Sequence, residues 1–156
     1  VRVRGISFVG SGTFGPQVSA NVSYTYNRSQ RTNELAGGYQ SLNGIPSNQF
    51  NAWIDLHPAR LPVGATLTLG HVGAIGNTVP VFGTVQAGDY TLVDVSGRLF
   101  LDAKRRHRIN LRLENVLDEV YTTRSGRNFL DGSATPFLVR NLGVPRTLHL
   151  TYAVGF

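Results

Sequence analysis

Arg108-Ile109-Asn110-Leu111-Arg112-Leu113-Glu114 decides the fold. Ile109, Leu111 and Leu113 alternate strictly with Asn110, Arg112 and Glu114. Successive side chains of an extended chain point to opposite faces, so this stretch is a strand with one apolar and one polar face. The same period recurs outward from it. Upstream, Val93, Val95, Leu99 and Leu101 stand against Asp94, Ser96 and Arg98. Downstream, Leu148, Leu150, Tyr152, Val154 and Phe156 stand against Thr147, His149, Thr151, Ala153 and Gly155. Near the start, Val18, Ala20, Val22, Tyr24 and Tyr26 oppose Ser19, Asn21, Ser23 and Thr25. The pattern predicts about seven strands, over residues 1–10, 17–28, 49–57, 64–74, 89–102, 106–120 and 145–156. The first departs from strict alternation around Gly5. These segments are mostly about 9–12 residues, longer than the 5–6 usual in soluble sheets and matched to a strand that crosses a bilayer.

The connections alternate in length. Ser11–Pro16, Pro58–Val63 and Ala103–Arg105 are short; Ser29–Asn48, Ile75–Gly88 and Tyr121–Val144 are long. Short turns at one end and long loops at the other are the pattern of an outer-membrane barrel. The polar face is Ser, Thr, Asn and Gly with scattered Arg and Asp, a composition that suits a wet lumen. Tyr24, Tyr26, Tyr90, Phe100, Tyr121, Tyr152 and Phe156 fall near strand ends, as an interfacial girdle requires. The expected fold is all-β, an antiparallel transmembrane β-barrel segment. A soluble β-sandwich with Ser and Thr on its solvent face is the competing architecture.

Composition agrees. Of 156 residues, 41% are hydrophobic and 15% charged. Soluble domains carry about 25% charge, and disordered chains carry more charge with less apolar content. Fifteen Lys+Arg against nine Asp+Glu give +6, and Lys104 is the single Lys. The absence of Cys excludes a disulfide framework, a thiolate metal site and a cysteine nucleophile. No run approaches the ~20 apolar residues of a transmembrane helix. The chain opens on Val1 and contains no Met, so a processed or truncated start is expected, with no signal peptide in the sequence.

Gly10-Ser11-Gly12-Thr13-Phe14-Gly15 has G-x-G-x-x-G spacing, but a dinucleotide fingerprint must open a helix. Pro16 and the strand from Val18 read instead as a hairpin turn. His57, His71, His107 and His149 lie apart with no H-x-x-x-H spacing, so no metal site is expected. No G-x-S-x-G elbow occurs; the chain is expected to be no enzyme and to need no cofactor. Lys104-Arg105-Arg106-His107-Arg108 is confined to one turn and reads as solvated cations near anionic headgroups. Nucleic-acid binding would spread basic and aromatic residues over a surface, and is not expected. On the polar face, Arg98 and Arg112 are expected to pair with Asp94 and Glu114 across strands. Arg98, Arg112 and His149 are the candidate ligand contacts, as a basic wall drawing an anion inward. The long loops add Arg28, Arg31, Glu34, Arg124, Arg127, Asp131 and Arg140, with Tyr39, Phe82, Phe129 and Phe137.

Asn110 to Tyr121 resembles the "l-x-v-x-N-l-f-D-x-x-Y" element of TonB-dependent outer-membrane receptors, with Asn115, Asp118 and Tyr121 on its Asn, Asp and Tyr. Gly143-Val144-Pro145-Arg146 through Tyr152 and Phe156 resembles the family's terminal "G-x-P-R" strand. Gly5-Ile6-Ser7-Phe8, Val18–Tyr26 and Ile45–Ile54 resemble earlier strands more weakly, with Ser7 replacing the family's usual Glu. The resemblance implies a place in the cell outer membrane of a Gram-negative bacterium. It implies an energy-coupled receptor that imports a scarce nutrient, a ferric siderophore above all. It makes residues 1–156 the C-terminal portion of the barrel, about seven of 22 strands, without the plug domain. The implied partners are outer-membrane lipid, the barrel-assembly machinery through Phe156, the remaining barrel and plug, and the inner-membrane energy-coupling complex. Asn115, Asp118 and Tyr121 are expected to be structural rather than catalytic, since Asn and Asp cap turns through side-chain-to-backbone bonds and these stand where a strand ends. The residues alone leave a second reading open, a small autonomous outer-membrane barrel serving as a structural protein or adhesin.

Overall fold

The computed structural model describes residues 2–33, 38–41, 44–79, 81–129 and 134–155. The described residues form strands and no helix. The main sheet contains β1 (Arg2–Phe14), β2 (Val18–Asn33), β4 (Asn48–Leu56), β5 (Val63–Val72), β8 (Tyr90–Phe100), β9 (His107–Glu114) and β12 (Thr147–Val154), adjacent in that order. All six neighbour pairs are antiparallel. These are the seven strands that alternation predicts. Six antiparallel steps leave β1 and β12 running the same way, at the two ends of the path.

Two boundaries differ most from the sequence expectation. β1 runs past residue 10 to Phe14 in unbroken register with β2, from Arg2↔Gln30 to Phe14↔Val18. Its alternation is therefore regular at Gly5; it looks irregular because Val3 and Val9 stand on the polar face. Gly10 and Gly12 lie in the strand, where the Phe8 and Phe14 rings lie 3.4 Å and 3.7 Å from the space a Cβ would take. Only Gly15, at φ +64°, serves the turn. At the other boundary β9 stops at Glu114, because Asn115 and Asp118 take left-handed φ of 51° and 57°. The long connections are not structureless either. β3 (Gly38–Ser41) pairs antiparallel with the end of β2, β6 (Ile75–Val79) pairs with β7 (Gly83–Ala87), and β10 (Thr122–Phe129) pairs with β11 (Pro136–Leu142). These hairpins continue the ladders beyond the main sheet, and β10 packs against β6 and β7.

Register assigns the faces. Val22, Ala52, Leu69 and Val93 are successive partners, as are Leu67, Val95, Leu113 and Leu148. One continuous apolar face results. No described residue covers it: Leu67, Leu111, Leu148 and Leu150 are 48%, 47%, 63% and 73% exposed. Among the described residues the buried apolar side chains are Val85 and Ala87, both in the β6–β7 hairpin. The described sheet is thus a single layer with no second sheet behind it, which removes the sandwich. Accessible surface is 10763 Å², against about 7,700 Å² for a globular monomer of this mass.

The height of the apolar band fits a membrane. The 11 residues of β8 span about 33 Å, or about 25 Å across a bilayer at the usual barrel tilt. Polar side-chain pairs mark both rims of that face. His71 Nδ1 lies 3.0 Å from Thr91 Oγ1 at the long-loop end, and His107 Nδ1 lies 2.7 Å from the Tyr152 hydroxyl at the short-turn end.

Candidate functional site

The polar face of the sheet is the candidate site, a lumen wall carrying two charge clusters. In the first, the Arg98 guanidinium of β8 reaches over β5 to Asp55 of β4. It donates from both terminal nitrogens to the two carboxylate oxygens, at 2.6 Å and 2.7 Å. Thr66 Oγ1 donates to the same carboxylate at 2.6 Å, and His57 Nδ1 stands 2.8 Å from it. The reach depends on Gly64, the register partner of Arg98. A Cβ there would come within 2.5 Å of the guanidinium. The cluster joins three strands near the short turns.

The second cluster sits closer to the long loops. Arg112 bonds Asp94 at 3.0 Å and pairs with Glu114 at 3.1 Å. Glu114 also faces His149 Nε2 at 3.3 Å, and Asp94 accepts the Asn115 backbone N–H at 2.9 Å. Of the sequence candidates, the fold brings Arg112 and His149 together on one carboxylate and leaves Arg98 in the other cluster. The expected pairing of Arg112 with Asp94 and Glu114 is present. Arg98 takes Asp55 instead, because Gly64 opens the path across β5. Asp55 went unassigned at the sequence level; its signal is a lone carboxylate at the polar parity of Asn51-Ala52-Trp53-Ile54-Asp55. Among the described residues, no three His, Asp or Glu side chains gather as a metal site. Glu34, Asp131 and Phe156 lie outside the described residues, as do the side chains of Arg31, Tyr39 and Arg127.

Above the second cluster, residues 115–121 and 143–146 form one clasp. The Asn115 side chain is 3% exposed. Its amide donates to Glu119 O at 2.9 Å and Val144 O at 3.2 Å, and its oxygen accepts the Glu119 N–H at 2.9 Å. Asp118 accepts the Arg146 N–H and pairs with its guanidinium, both at 3.3 Å. The Tyr121 ring lies on Gly143, where a Cβ would overlap it. Tyr121 accepts the Gly143 N–H on its carbonyl at 2.9 Å and the Val144 N–H on its hydroxyl at 3.2 Å. Tyr90 completes the stack, its ring 4.3 Å from that of Tyr121. Through these contacts Asn115, Asp118 and Tyr121 hold backbone or a neighbouring strand.

The family described as TonB dependent receptor-like, beta-barrel matches residues 1–116. Among solved structures, Pseudomonas aeruginosa FpvA bound to a heterologous pyoverdine superposes with a TM-score of 0.73 at 16% identity, covering 97% of this chain and 19% of that one. The ferripyoverdine receptor of the outer membrane of Pseudomonas aeruginosa, bound to ferripyoverdine, gives a TM-score of 0.73 at 17% identity with the same coverage, 97% and 19%. The chain thus spans about a fifth of the length of these structural relatives. No curated protein matches it. At these identities the solved structures speak for the fold, and the family match carries the assignment: this chain belongs to the TonB-dependent receptor β-barrel family.

Proposed function

We propose that these residues are the C-terminal portion of the barrel of an energy-coupled outer-membrane receptor, which imports a ferric siderophore or a similarly scarce nutrient. The observation that carries this reading is the uncovered apolar face, about one bilayer core tall, backed by a charged and hydrated wall. An apolar surface of that extent is stable only against lipid. The structural relatives that bind pyoverdine favour a siderophore over other nutrients. In this reading Arg112 and His149, about half exposed, face the solute, while Arg98 is held by Asp55. Phe156 engages the assembly machinery, and the energy-coupling complex acts through N-terminal parts of the receptor. An autonomous seven-stranded barrel is disfavoured, since β1 and β12 run parallel at the open ends.

The test is uptake. The full-length receptor containing these residues is expressed in a strain without other ferric-siderophore receptors, and radioactive iron entry is followed with several siderophores. The expected result is entry with at least one siderophore, abolished by a protonophore. Entry that survives the protonophore rules out energy coupling. Import restricted to another nutrient rules out the siderophore.

A further inference from the structure

Two neighbouring short turns build a second polar feature that the lumen clusters leave unexplained. Arg60 lies in the β4–β5 turn and Arg105 in the β8–β9 turn. Both line a cleft of about 190 Å³ with Leu61, Pro62 and Phe100. The turns are tied together by the Phe100 N–H, which donates to Pro62 O at 2.7 Å. The Arg105 guanidinium lies 5.0 Å from the centre of the Phe100 ring. Phe100 is the register partner of Arg108 and shares the face of Arg98. The cleft therefore belongs to the polar side of the sheet, away from lipid, at the short-turn mouth.

Its charge is predominantly positive. Arg60 and Arg105 line the cleft together with one carboxylate, Asp102. That carboxylate accepts the His107 N–H at 2.8 Å on Oδ1, and its Oδ2 lies 3.7 Å from Arg106. Arg60 and Arg105 are left to face the cleft. Arg105 also holds a φ of +55°, a conformation that glycine adopts without a Cβ penalty. The turn hydrogen bond from Arg105 N to Asp102 O, at 3.0 Å, does not need an arginine side chain. Strain kept at a position that a smaller residue fills better points to a use for the side chain.

We infer that this cleft docks an extended acidic peptide segment of a periplasmic partner protein. Arg60 and Arg105 grip its Asp or Glu carboxylates, and an apolar side chain of the peptide rests on Phe100 and Leu61. Guanidinium forks suit carboxylates, and the apolar floor supplies the contact that a free anion lacks. The inference rests on the proposed receptor function for its orientation, short turns toward the periplasm. An anionic lipid headgroup fits less well, because the cleft does not open on the lipid face.

The experiment uses the purified full-length receptor in a neutral detergent. Its probe is a fluorescent peptide of alternating Glu and Leu, with the Gln-for-Glu peptide as control. Anisotropy is expected to show binding of the acidic peptide alone, weakening with salt. Arg60→Gln and Arg105→Gly are each expected to weaken it about tenfold. Arg105→Gly suits the positive φ, so its heat stability should equal or exceed that of the parent, which separates lost docking from lost folding. Binding of neither peptide, or unchanged affinity in Arg105→Gly, overturns the inference. Displacement of the peptide by short-chain phosphatidylglycerol, with the same arginine dependence, overturns it in favour of a headgroup site. Iron uptake is measured on the same protein: lost uptake with peptide binding intact counts against the transporter reading and leaves this one standing.

Discussion

At residue scale, the positions that look like a functional motif are a joint. A Cβ on Gly143 would overlap the Tyr121 ring. Gly143→Ala must push the ring off its site and strain the hydrogen bond from the Val144 N–H to the Tyr121 hydroxyl. Overpacking of this kind costs about 1–3 kcal/mol. The expected readout is a lower urea midpoint for the receptor barrel, with ligand affinity unchanged in the folded fraction. Asp118→Ala should act the same way, lowering the yield of folded barrel; intact folding with abolished transport would make Asp118 a transport residue. Asp102 is a separate residue-scale case, in a turn outside the membrane. The His107 N–H above all holds its carboxyl below the ordinary carboxylate value; desolvation is the next largest effect and opposes it, and the neighbouring His107 and Arg106 add to the lowering. A depressed folded-state pKa stabilises above the unfolded value, about 3.9, and that stabilisation is lost as pH falls through the folded value. The stability difference between the parent and Asp102→Asn should therefore be full at neutral pH and vanish in acid. A difference that persists or grows in acid refutes the assignment.

At element scale, the register of β9 fixes what each side chain meets. Leu111 pairs with Leu150 and Gly97 on the apolar face; Arg112 pairs with His149 and Ser96 on the polar face. Neighbours in sequence thus face different solvents. Leu111→Arg puts a charge into hydrocarbon near the middle of β9 and should destabilise the intact barrel by about 2–4 kcal/mol. Arg112→Leu removes the ion pairs with Asp94 and Glu114 from a side chain that is 54% exposed, and exposed pairs contribute about 0–1 kcal/mol each. Unfolding in detergent compares the two directly, and a reversed order of costs would invert the faces. The hairpins beyond the main sheet follow another rule. Ser125, Val85 and Ala87 are buried where β10 meets β7. These hairpins are braced by one another and not by lipid.

At the scale of the whole molecule, seven strands leave two edges. The outer edges of β1 and β12 carry backbone N–H and C=O groups with no strand beside them on the path. In hydrocarbon each unpaired group costs several kcal/mol. Joining the two edges directly would require a parallel pair in an otherwise antiparallel sheet. Residues 1–156 expressed alone behind a signal sequence should therefore aggregate or be degraded. A heat-modifiable, protease-resistant monomer in the outer membrane that restores ferric-siderophore uptake would show that the sheet closes by itself.

Period-two alternation by itself determined the seven strands of the main sheet, the apolar and polar faces of most of them and the all-β class; the faces of Val3, Val9 and Phe100 came only from register. Hydrocarbon on one side and water on the other impose a period that sequence cannot hide, as Ile109 to Glu114 shows. The two motif segments were equally legible as motifs, and Arg112 was legible as a partner of Asp94 and Glu114. The rest was decided by tertiary structure, for reasons of geometry. β6–β7 and β10–β11 lie outside the main sheet, where no two-sided solvent contrast writes a pattern into the chain. Gly10 and Gly12 read as a turn until the rings of Phe8 and Phe14 cover them. Asp55 and Arg98 are 43 residues apart and meet only because Gly64 leaves space between their strands. Tyr121 and Gly143 meet at the foot of the β10–β11 hairpin, whose register pairs Thr122 with Leu142. Contacts between distant residues depend on which strands the sheet makes adjacent, and one-dimensional periodicity does not contain that order.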